Sequence, residues 1–365
     1  MYIINKKPKI AVIGLKGLPA FGGAAAVGEN IINQLKDKYE FTVYSIPSHT
    51  KHKTGIYNGI NQKVLRHLPL GRVNSLLYYI RSAFHVLFFK RYDLVHLHHS
   101  DAAFIIPFLR FRYPVILTTH GAFNITSKWK RYNFYFKLQI KYFVKYANII
   151  TCVSKSEVED FKKYGIQANY IPNGISKIEI TNIDKGYILF AAGRLIESKG
   201  CHFLLQALNI LNYKGKIIIA GDYNQSTDYY EYLKKLSNNL DCDFVGLITD
   251  KNDLYKLIAG AKLFVYPSMI EAMSMMLLEV ASVGTPIICA DIDGNMNLFK
   301  ANDVIFFRNG DIKDLSVKIE RALYSLDAIK LMASNLRNRL LKEQEWSSIA
   351  IKYDIFYKKI LDKYR

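Results

Sequence analysis

The feature that most constrains this chain is a rhythm that runs twice. From "KIAVIGL" onward, short apolar strand signals alternate with helix signals. "GGAAAVGENIINQLKDKY" reads as a helix after a glycine-rich turn, "EFTVYSIP" as a strand, "SLLYYIRSAFHVLFFKR" as a helix, and "DLVHLHHS" and "PVILTTHG" as strands. "KWKRYNFYFKLQIKYFVKYA" reads as a long helix, and "NIITCVS" as a strand before the helix "KSEVEDFKKYG". The rhythm lapses over "ANYIPNGISKIEITNIDKG", which carries Pro172, Asn173 and Gly174, and this stretch is read as the linker. It restarts at "YILFAAG" and runs through "KIIIAGD", "CDFVG" and "LFVYPS", each followed by a helical segment, to a last strand "PIICA". Strands that are apolar on both faces and separated by helices pack as parallel sheets covered on each side. The predicted class is α/β, with two Rossmann-like doubly wound domains: residues 1–172, residues 173–345, and a terminal amphipathic helix at 346–365. In that helix Trp346, Ile349, Tyr353, Ile355/Phe356 and Ile360 fall at helical spacing, a stripe that needs a surface to cover.

Charge is distributed unevenly between the halves. Residues 1–175 hold 25 Lys/Arg against 8 Asp/Glu, whereas residues 176–365 hold 25 against 23, so nearly all of the +19 excess lies in the first half. Such a field draws anionic partners: lipid head groups, a phosphorylated acceptor or nucleic acid. The last is disfavoured, because the sequence carries no nucleic-acid-binding module. No secretory leader is expected, and no run reaches the roughly 18 apolar residues of a membrane span. The best candidate, "AFIIPFLRFRYPVIL", is broken by Arg110 and Arg112. Cys152, Cys201, Cys242 and Cys289 are widely spaced, which predicts reduced thiols in a cytoplasmic protein and neither a disulfide framework nor a zinc site.

Four stretches carry candidate chemistry. In "PSMIEAMSMMLLEVASVGTPIICA", Ser274 is a good N-cap and Gly284-Thr285-Pro286 a helix stop, so the helix spans about 275–283. Glu271 then lies in the loop before it and Glu279 in its second turn. Free N–H groups at the helix start favour phosphate, while carboxylates grip hydroxyls, which together describe a nucleotide sugar. The spacing serves equally well a solvated loop glutamate and a half-buried helix glutamate capped by a neighbour. "AAGRLIESKG" places Arg194 and Lys199 at a strand's carboxyl end, where open α/β sheets bind ligands and where cations hold phosphate. "GLKGLPAFGGAAAVGEN" lacks the G-x-G-x-x-G dinucleotide fingerprint, but Gly22-Gly23 can bring backbone amides near a phosphate or simply make a tight turn. His120 follows a strand and precedes a glycine. His96 and His98 share a strand face, but no carboxylate or cysteine spacing supports a metal, and none is predicted.

Taken together, Gly22-Gly23 with the following helix, "THG" at His120, "GRLIESKG", "AGD" at Gly221, and E-x7-E from Glu271 to Glu279 followed by "GTPIICAD" resemble the retaining family 4 (group 1) glycosyltransferases of the GT-B fold. The resemblance spans essentially the whole chain and implies two domains facing a cleft, the last helix crossing back to the first. It implies that Arg194 and Lys199 hold the donor diphosphate and that Glu279 binds the ribose hydroxyls. Glu271 would contact the donor sugar, and His120 would reach that sugar or the reacting face. Backbone around Met273, Ser274 and Met275 would line sugar and phosphate, Gly22 and Gly23 would approach the phosphate, and Gly221 and Leu247 would complete the donor side. The family transfers with retention and without a metal or other cofactor, from a nucleoside-diphosphate sugar, most commonly a UDP-sugar. The chain departs from the family's E-G-F-G pattern at Ala272 and Ser274, which bears on the donor sugar. The basic, aromatic segment 128–146 suggests an anionic membrane surface, hence a lipid-linked or oligosaccharide acceptor of envelope polysaccharide synthesis and a peripheral place at the inner membrane face. The competing readings are another GT-B enzyme, such as a sugar-nucleotide epimerase, and a basic nucleic-acid-binding protein.

Overall fold

The computed structural model describes residues 6–20, 22–66, 73–121, 123, 133–179 and 186–364. Contacts divide the chain into two units, one of residues 1–173 with 346–365 and one of residues 174–345.

The first unit runs β1 (Lys9–Lys16), α1 (Gly23–Leu35), β2 (Glu40–Ser45), β3 (Gly55–Tyr57), β4 (Ile60–Val64), α2 (Val73–Phe88), β5 (Leu94–His98), α3 (Ile106–Arg110), β6 (Val115–Thr119), α4 (Asn133–Leu138), β7 (Ile149–Cys152), α5 (Lys155–Lys163) and β8 (Asn169–Tyr170). Its sheet has the order β3-β4-β2-β1-β5-β6-β7-β8. Every pairing is parallel except the β3–β4 hairpin. β5 and β6 are buried along their whole length, as strands covered on both faces must be. The hairpin was not read in the sequence, although its turn is Asn58-Gly59 with both residues in the left-handed region, the strongest short-range hairpin signal. Two further readings change. The supposed linker begins with β8, which pairs with β7. The long helix of 128–146 lies partly outside the described residues, and its described part is α4 followed by a π-helical turn (Gln139–Phe143) and a 3-10 turn (Val144–Tyr146).

The second unit runs β9 (Tyr187–Arg194), α6 (Cys201–Ile210), β10 (Ile217–Asp222), α7 (Thr227–Leu236), β11 (Cys242–Gly246), α8 (Lys251–Ala259), β12 (Ala261–Tyr266), α9 (Met275–Val283), β13 (Ile287–Ala290), α10 (Asp293–Leu298), β14 (Ile305–Phe307), α11 (Ile312–Tyr324) and α12 (Leu326–Gln344). Its sheet, in the order β11-β10-β9-β12-β13-β14, is parallel throughout. In each unit the chain winds outward from a central strand, then returns to that strand's other side. The reversals fall between β1 and β5 and between β9 and β12, and such switch points open a crevice at the strands' carboxyl ends.

The last helix, α13 (Trp346–Tyr364), packs on α1 in the first unit. Its buried stripe is Trp346, Ile349, Tyr353, Tyr357 and Ile360. Ile355 is exposed, so Tyr357 takes the place expected of Ile355/Phe356. Asp354 accepts hydrogen bonds from Tyr39 OH (2.7 Å) and Lys38 Nζ (2.8 Å), and Tyr357 OH lies 2.7 Å from His96 Nδ1.

Candidate active site

In the second unit, the loops leaving β9 and β12 are stitched together. Met269 N donates to Ser198 O at 3.0 Å, and Ser268 Oγ donates to the same carbonyl at 3.3 Å. The approach is so close that Gly200 cannot carry a side chain: a Cβ there would stand 1.9 Å from Pro267 O, and the residue is left-handed at φ 72°. On the other side α10 closes in, where a Cβ on Gly294 would stand 2.2 Å from Glu271 O.

This frame sets Glu271 against Lys199. Oε1 of Glu271 accepts from Lys199 Nζ at 2.5 Å, Ser268 Oγ at 2.8 Å and Tyr266 OH at 2.9 Å. Burial alone would push the Lys199 ammonium down, but Tyr266 and the Glu271 carboxylate outweigh it and hold the ammonium above its ordinary range. The Tyr266 hydroxyl, buried and beside the same carboxylate, is pushed up to about 12. Arg194, the last residue of β9, is exposed, and no carboxylate pairs with it among the described residues.

The helix α9 has the bounds its caps announce. Ser274 is the N-cap, its Oγ accepting from Leu277 N at 3.3 Å, and Gly284 closes the C-terminus at φ 90°. Ser274 and Met273 are buried and Met275 half-buried. Glu279, one turn in, is ion-paired with Lys251 at the start of α8. Burial raises the Glu279 carboxyl and Lys251 only partly offsets it. The two acids are therefore engaged separately, each by a lysine, and Glu279 matches the reading of a half-buried glutamate capped by a neighbour. Lys251, Tyr266 and Ser268 were missed, because nothing local in the sequence points to them. Gly221, the last residue but one of β10, sits in a tight place, where a Cβ would lie 2.9 Å from Ala192 O, and Leu247 follows β11, half-buried.

In the first unit, Gly22 and Gly23 are exposed at the start of α1, and a Cβ on Gly22 would meet open space. Gly22 has φ 97° and, as the N-cap, gives the first amides of α1 no side-chain partner. His120 stands at the end of β6 in a histidine cluster. Its ring stacks on His98 at 5.6 Å between centroids, lies 5.3 Å from His99, and brings Nε2 to 3.3 Å from His98 Nδ1. His96, next along β5, bonds Thr118 Oγ1 at 2.7 Å through Nε2. Burial pushes all four imidazoles down, His96 to about 3. They are neutral donors and acceptors, and no group of three or more His, Cys, Asp or Glu among the described residues can hold a metal ion.

Two family models match this chain. The model described as "Glycosyltransferase Family 4" matches residues 21–177, and that described as "Glycosyl transferases group 1" matches residues 175–339. The chain is 24% identical over 208 residues to the capsular polysaccharide biosynthesis glycosyltransferase CapM of Staphylococcus aureus, covering 54% of this chain and 53% of that one. It is 23% identical over 288 residues to an Escherichia coli UDP-Gal:alpha-D-GlcNAc-diphosphoundecaprenol alpha-1,3-galactosyltransferase, covering 69% and 71%. The matched stretches span about half the length of the first curated relatives. Among solved structures, sucrose-phosphate synthase from Thermosynechococcus elongatus superposes with a TM-score of 0.83 at 18% identity, over 98% of this chain and 100% of that one. Anabaena HepE in complex with UDP-glucose superposes with a TM-score of 0.74 at 18% identity, over 96% and 100%.

Proposed function

Because this chain belongs to the group 1 glycosyltransferases, we propose that it moves a sugar from a nucleoside-diphosphate sugar, a UDP-sugar foremost, to a lipid-linked or oligosaccharide acceptor in envelope polysaccharide synthesis. Transfer proceeds with retention and without a metal. The observation that carries the reading is the Lys199–Glu271 pair: it sets a cation suited to phosphate 2.5 Å from a carboxylate suited to sugar hydroxyls, in a loop frame at a sheet switch point. A ligand whose sugar is bonded directly to phosphate fits that juxtaposition. The acceptor class is supported by the names of the relatives, among them the diphosphoundecaprenol-dependent enzyme of E. coli.

In this reading Lys199, Arg194 and the amides at the start of α9 take up negative charge as the bond from sugar to diphosphate breaks. Glu279 accepts from the ribose hydroxyls and Glu271 from a hydroxyl of the donor sugar, with backbone at Met273, Ser274 and Met275 around them. Gly221 and Leu247 complete the donor side. In the first unit His120 serves the donor sugar or the reacting face as a neutral imidazole, and Gly22 and Gly23 offer amides to phosphate. No side chain is assigned as a nucleophile. The residues 1–172 take the acceptor and 173–345 the donor. The protein works at the inner face of the cytoplasmic membrane as a peripheral enzyme, and no described helix is long and apolar enough to cross it.

Thermal shift against a panel of nucleoside diphosphates and their sugars, on wild type and Glu279→Ala, tests this, since a ligand bound only by the folded state raises its stability. One nucleotide family should shift the wild type and not the variant. A folded wild type that responds to none of them would refute the reading.

A further inference from the structure

The first unit carries, at the end of its sheet opposite the strands' carboxyl termini, a pocket that the proposed chemistry does not use. It has a volume of about 450 Å³ and opens at the amino ends of β1, β5 and β6. Lys6, Lys7, Lys9, Arg91 and Arg112 line it against a single acid, Asp93. Asp93 already accepts from Lys9 N at 2.6 Å, Lys9 Nζ lies 3.9 Å from Glu40, and Lys7 Nζ donates to Lys36 O at 3.3 Å. Lys6 and Arg91 are exposed and have no side-chain partner among the described residues.

Beside this pocket ends an apolar stripe. On α2, Leu76, Ile80, Phe84 and Phe88 recur every fourth residue and are all exposed, while Tyr78, Tyr79 and Val86 on the other side are buried. The stripe runs roughly 18 Å along the helix. Phe84 packs on Phe88 and Phe89 at 4.8 and 5.9 Å between centroids, so the rings form one patch. Arg112 of the pocket donates to Leu87 O, and Tyr113 OH donates to Lys90 O at 3.0 Å, which ties the pocket wall to the end of the stripe. The neighbouring Phe111 is 88% exposed.

Exposed apolar patches of this extent mark interaction surfaces. We infer that this face of the first unit, the α2 stripe with the cationic pocket at its end, seats the protein on an anionic lipid bilayer, with the phenylalanines at the acyl boundary and the pocket around head-group phosphate. The charge asymmetry of the halves agrees, since residues 1–175 carry 25 Lys/Arg against 8 Asp/Glu. A nucleic acid would use the cations but leave the aliphatic part of the stripe in water, whereas a bilayer takes both. The inference deepens the proposed function and rests on it for the acceptor's place at a membrane.

Vesicle flotation of the full chain decides it, using phosphatidylcholine alone and phosphatidylcholine mixed with phosphatidylglycerol, at low and high salt. Wild type should float with the anionic mixture at low salt and not with the neutral vesicles. A Lys6→Gln/Lys7→Gln/Arg91→Gln variant should lose roughly 100-fold in vesicle affinity, the loss of three cations at an anionic surface. A Phe84→Ser/Phe88→Ser/Phe89→Ser variant should lose about tenfold or more, with an unchanged melting temperature because the rings are exposed. Equal flotation with neutral vesicles, a phenylalanine variant that binds like wild type, or a short RNA that binds more tightly than the vesicles would each overturn the inference. Nucleotide-induced thermal shifts on the same proteins separate the two readings. Retained shifts without flotation of the wild type refute only the membrane surface, and flotation without any nucleotide shift refutes only the transferase.

Discussion

Replacing Lys199 by alanine has two consequences that can be measured apart. Lys199 and Glu271 are 20% and 12% exposed and 2.5 Å apart. Removing one partner of a buried ion pair costs about 3–5 kcal/mol, because the other charge is left uncompensated. Here the same Glu271 oxygen keeps two donors, Ser268 Oγ at 2.8 Å and Tyr266 OH at 2.9 Å. Hydrogen bonds to a charged group contribute about 1.5–3 kcal/mol each, so the loss should fall near the low end, about 2–3 kcal/mol. In a unit of this size that lowers the melting temperature by roughly 4–12 °C. Adding Glu271→Gln removes the stranded charge and should return about 1 kcal/mol or more. Function does not return with it. Loss of a charge-assisted contact to diphosphate should cut nucleotide affinity or transfer by roughly 10- to 150-fold in both the single and the double variant. Calorimetry of wild type, both single variants and the double variant, with and without nucleoside diphosphate, reads both effects. If Lys199→Ala melts with the wild type, or if the two stability losses simply add, the pair does not hold the loop frame. If its nucleotide affinity is unchanged, Lys199 does not face phosphate.

Glu279→Gln should separate stability from binding in the opposite sense. The folded carboxyl is raised by burial, so its ionised form disfavours the fold at neutral pH. Lys251, which the substitution frees, is largely exposed, so we expect an unchanged or slightly higher melting temperature with at least about tenfold weaker nucleotide binding; a clear loss of stability would contradict the assignment. Acid should unfold the first unit through its histidines. His96, His98, His99 and His120 are all pushed down by burial, so the stability they confer is fully present above about pH 6.5 and is lost as pH falls toward the folded value, about 3 for His96. Each contributes up to about 1.4 kcal/mol per pH unit below pH 6.5, and a melting temperature that stays flat from neutral pH to about pH 5 would show that the cluster is not buried and neutral. Asp354 is pulled in two directions, burial raising it and its bonds from Lys38, Tyr39 and Lys358 lowering it, with the lowering dominant. Its contribution is therefore present above about pH 4 and lost below. Asp354→Asn should cost about 1–2 kcal/mol in the first unit's transition and leave the second unit's unmoved, which limited proteolysis of each unit can check.

What the sequence reveals here is what local chemistry decides. The strand–helix alternation, the Ser274 cap and the Gly284 stop are set by neighbouring residues, and the structure has them at those positions. The Asn58-Gly59 hairpin was equally local and went unread, as did the three helices and one strand between Ala290 and Trp346. The pairing of Lys199 with Glu271 is of another kind. These residues are 72 positions apart and meet because β9 and β12 are neighbours in the sheet, an adjacency fixed by the order of winding rather than by either loop. His120 joins His98 for the same reason, through the β5–β6 pairing. The terminal stripe was found but its phase was one residue off, because Tyr357 was chosen by His96 and Tyr39 across the interface and not by hydropathy along the helix.

The first unit is assembled from both ends of the chain, with the whole second unit inserted before α13. On a ribosome, therefore, the unit begun first is completed last. Residues 1–173 emerge while the helix that covers α1 is still more than 170 residues from synthesis. At about 5–20 residues per second, that surface waits roughly 10–35 s for its cover. In that interval Tyr39 and His96 lack the partners that Asp354 and Tyr357 later supply. Until Trp346–Tyr364 is made, the nascent amino-terminal half therefore presents to its surroundings the surface of α1 that this helix covers.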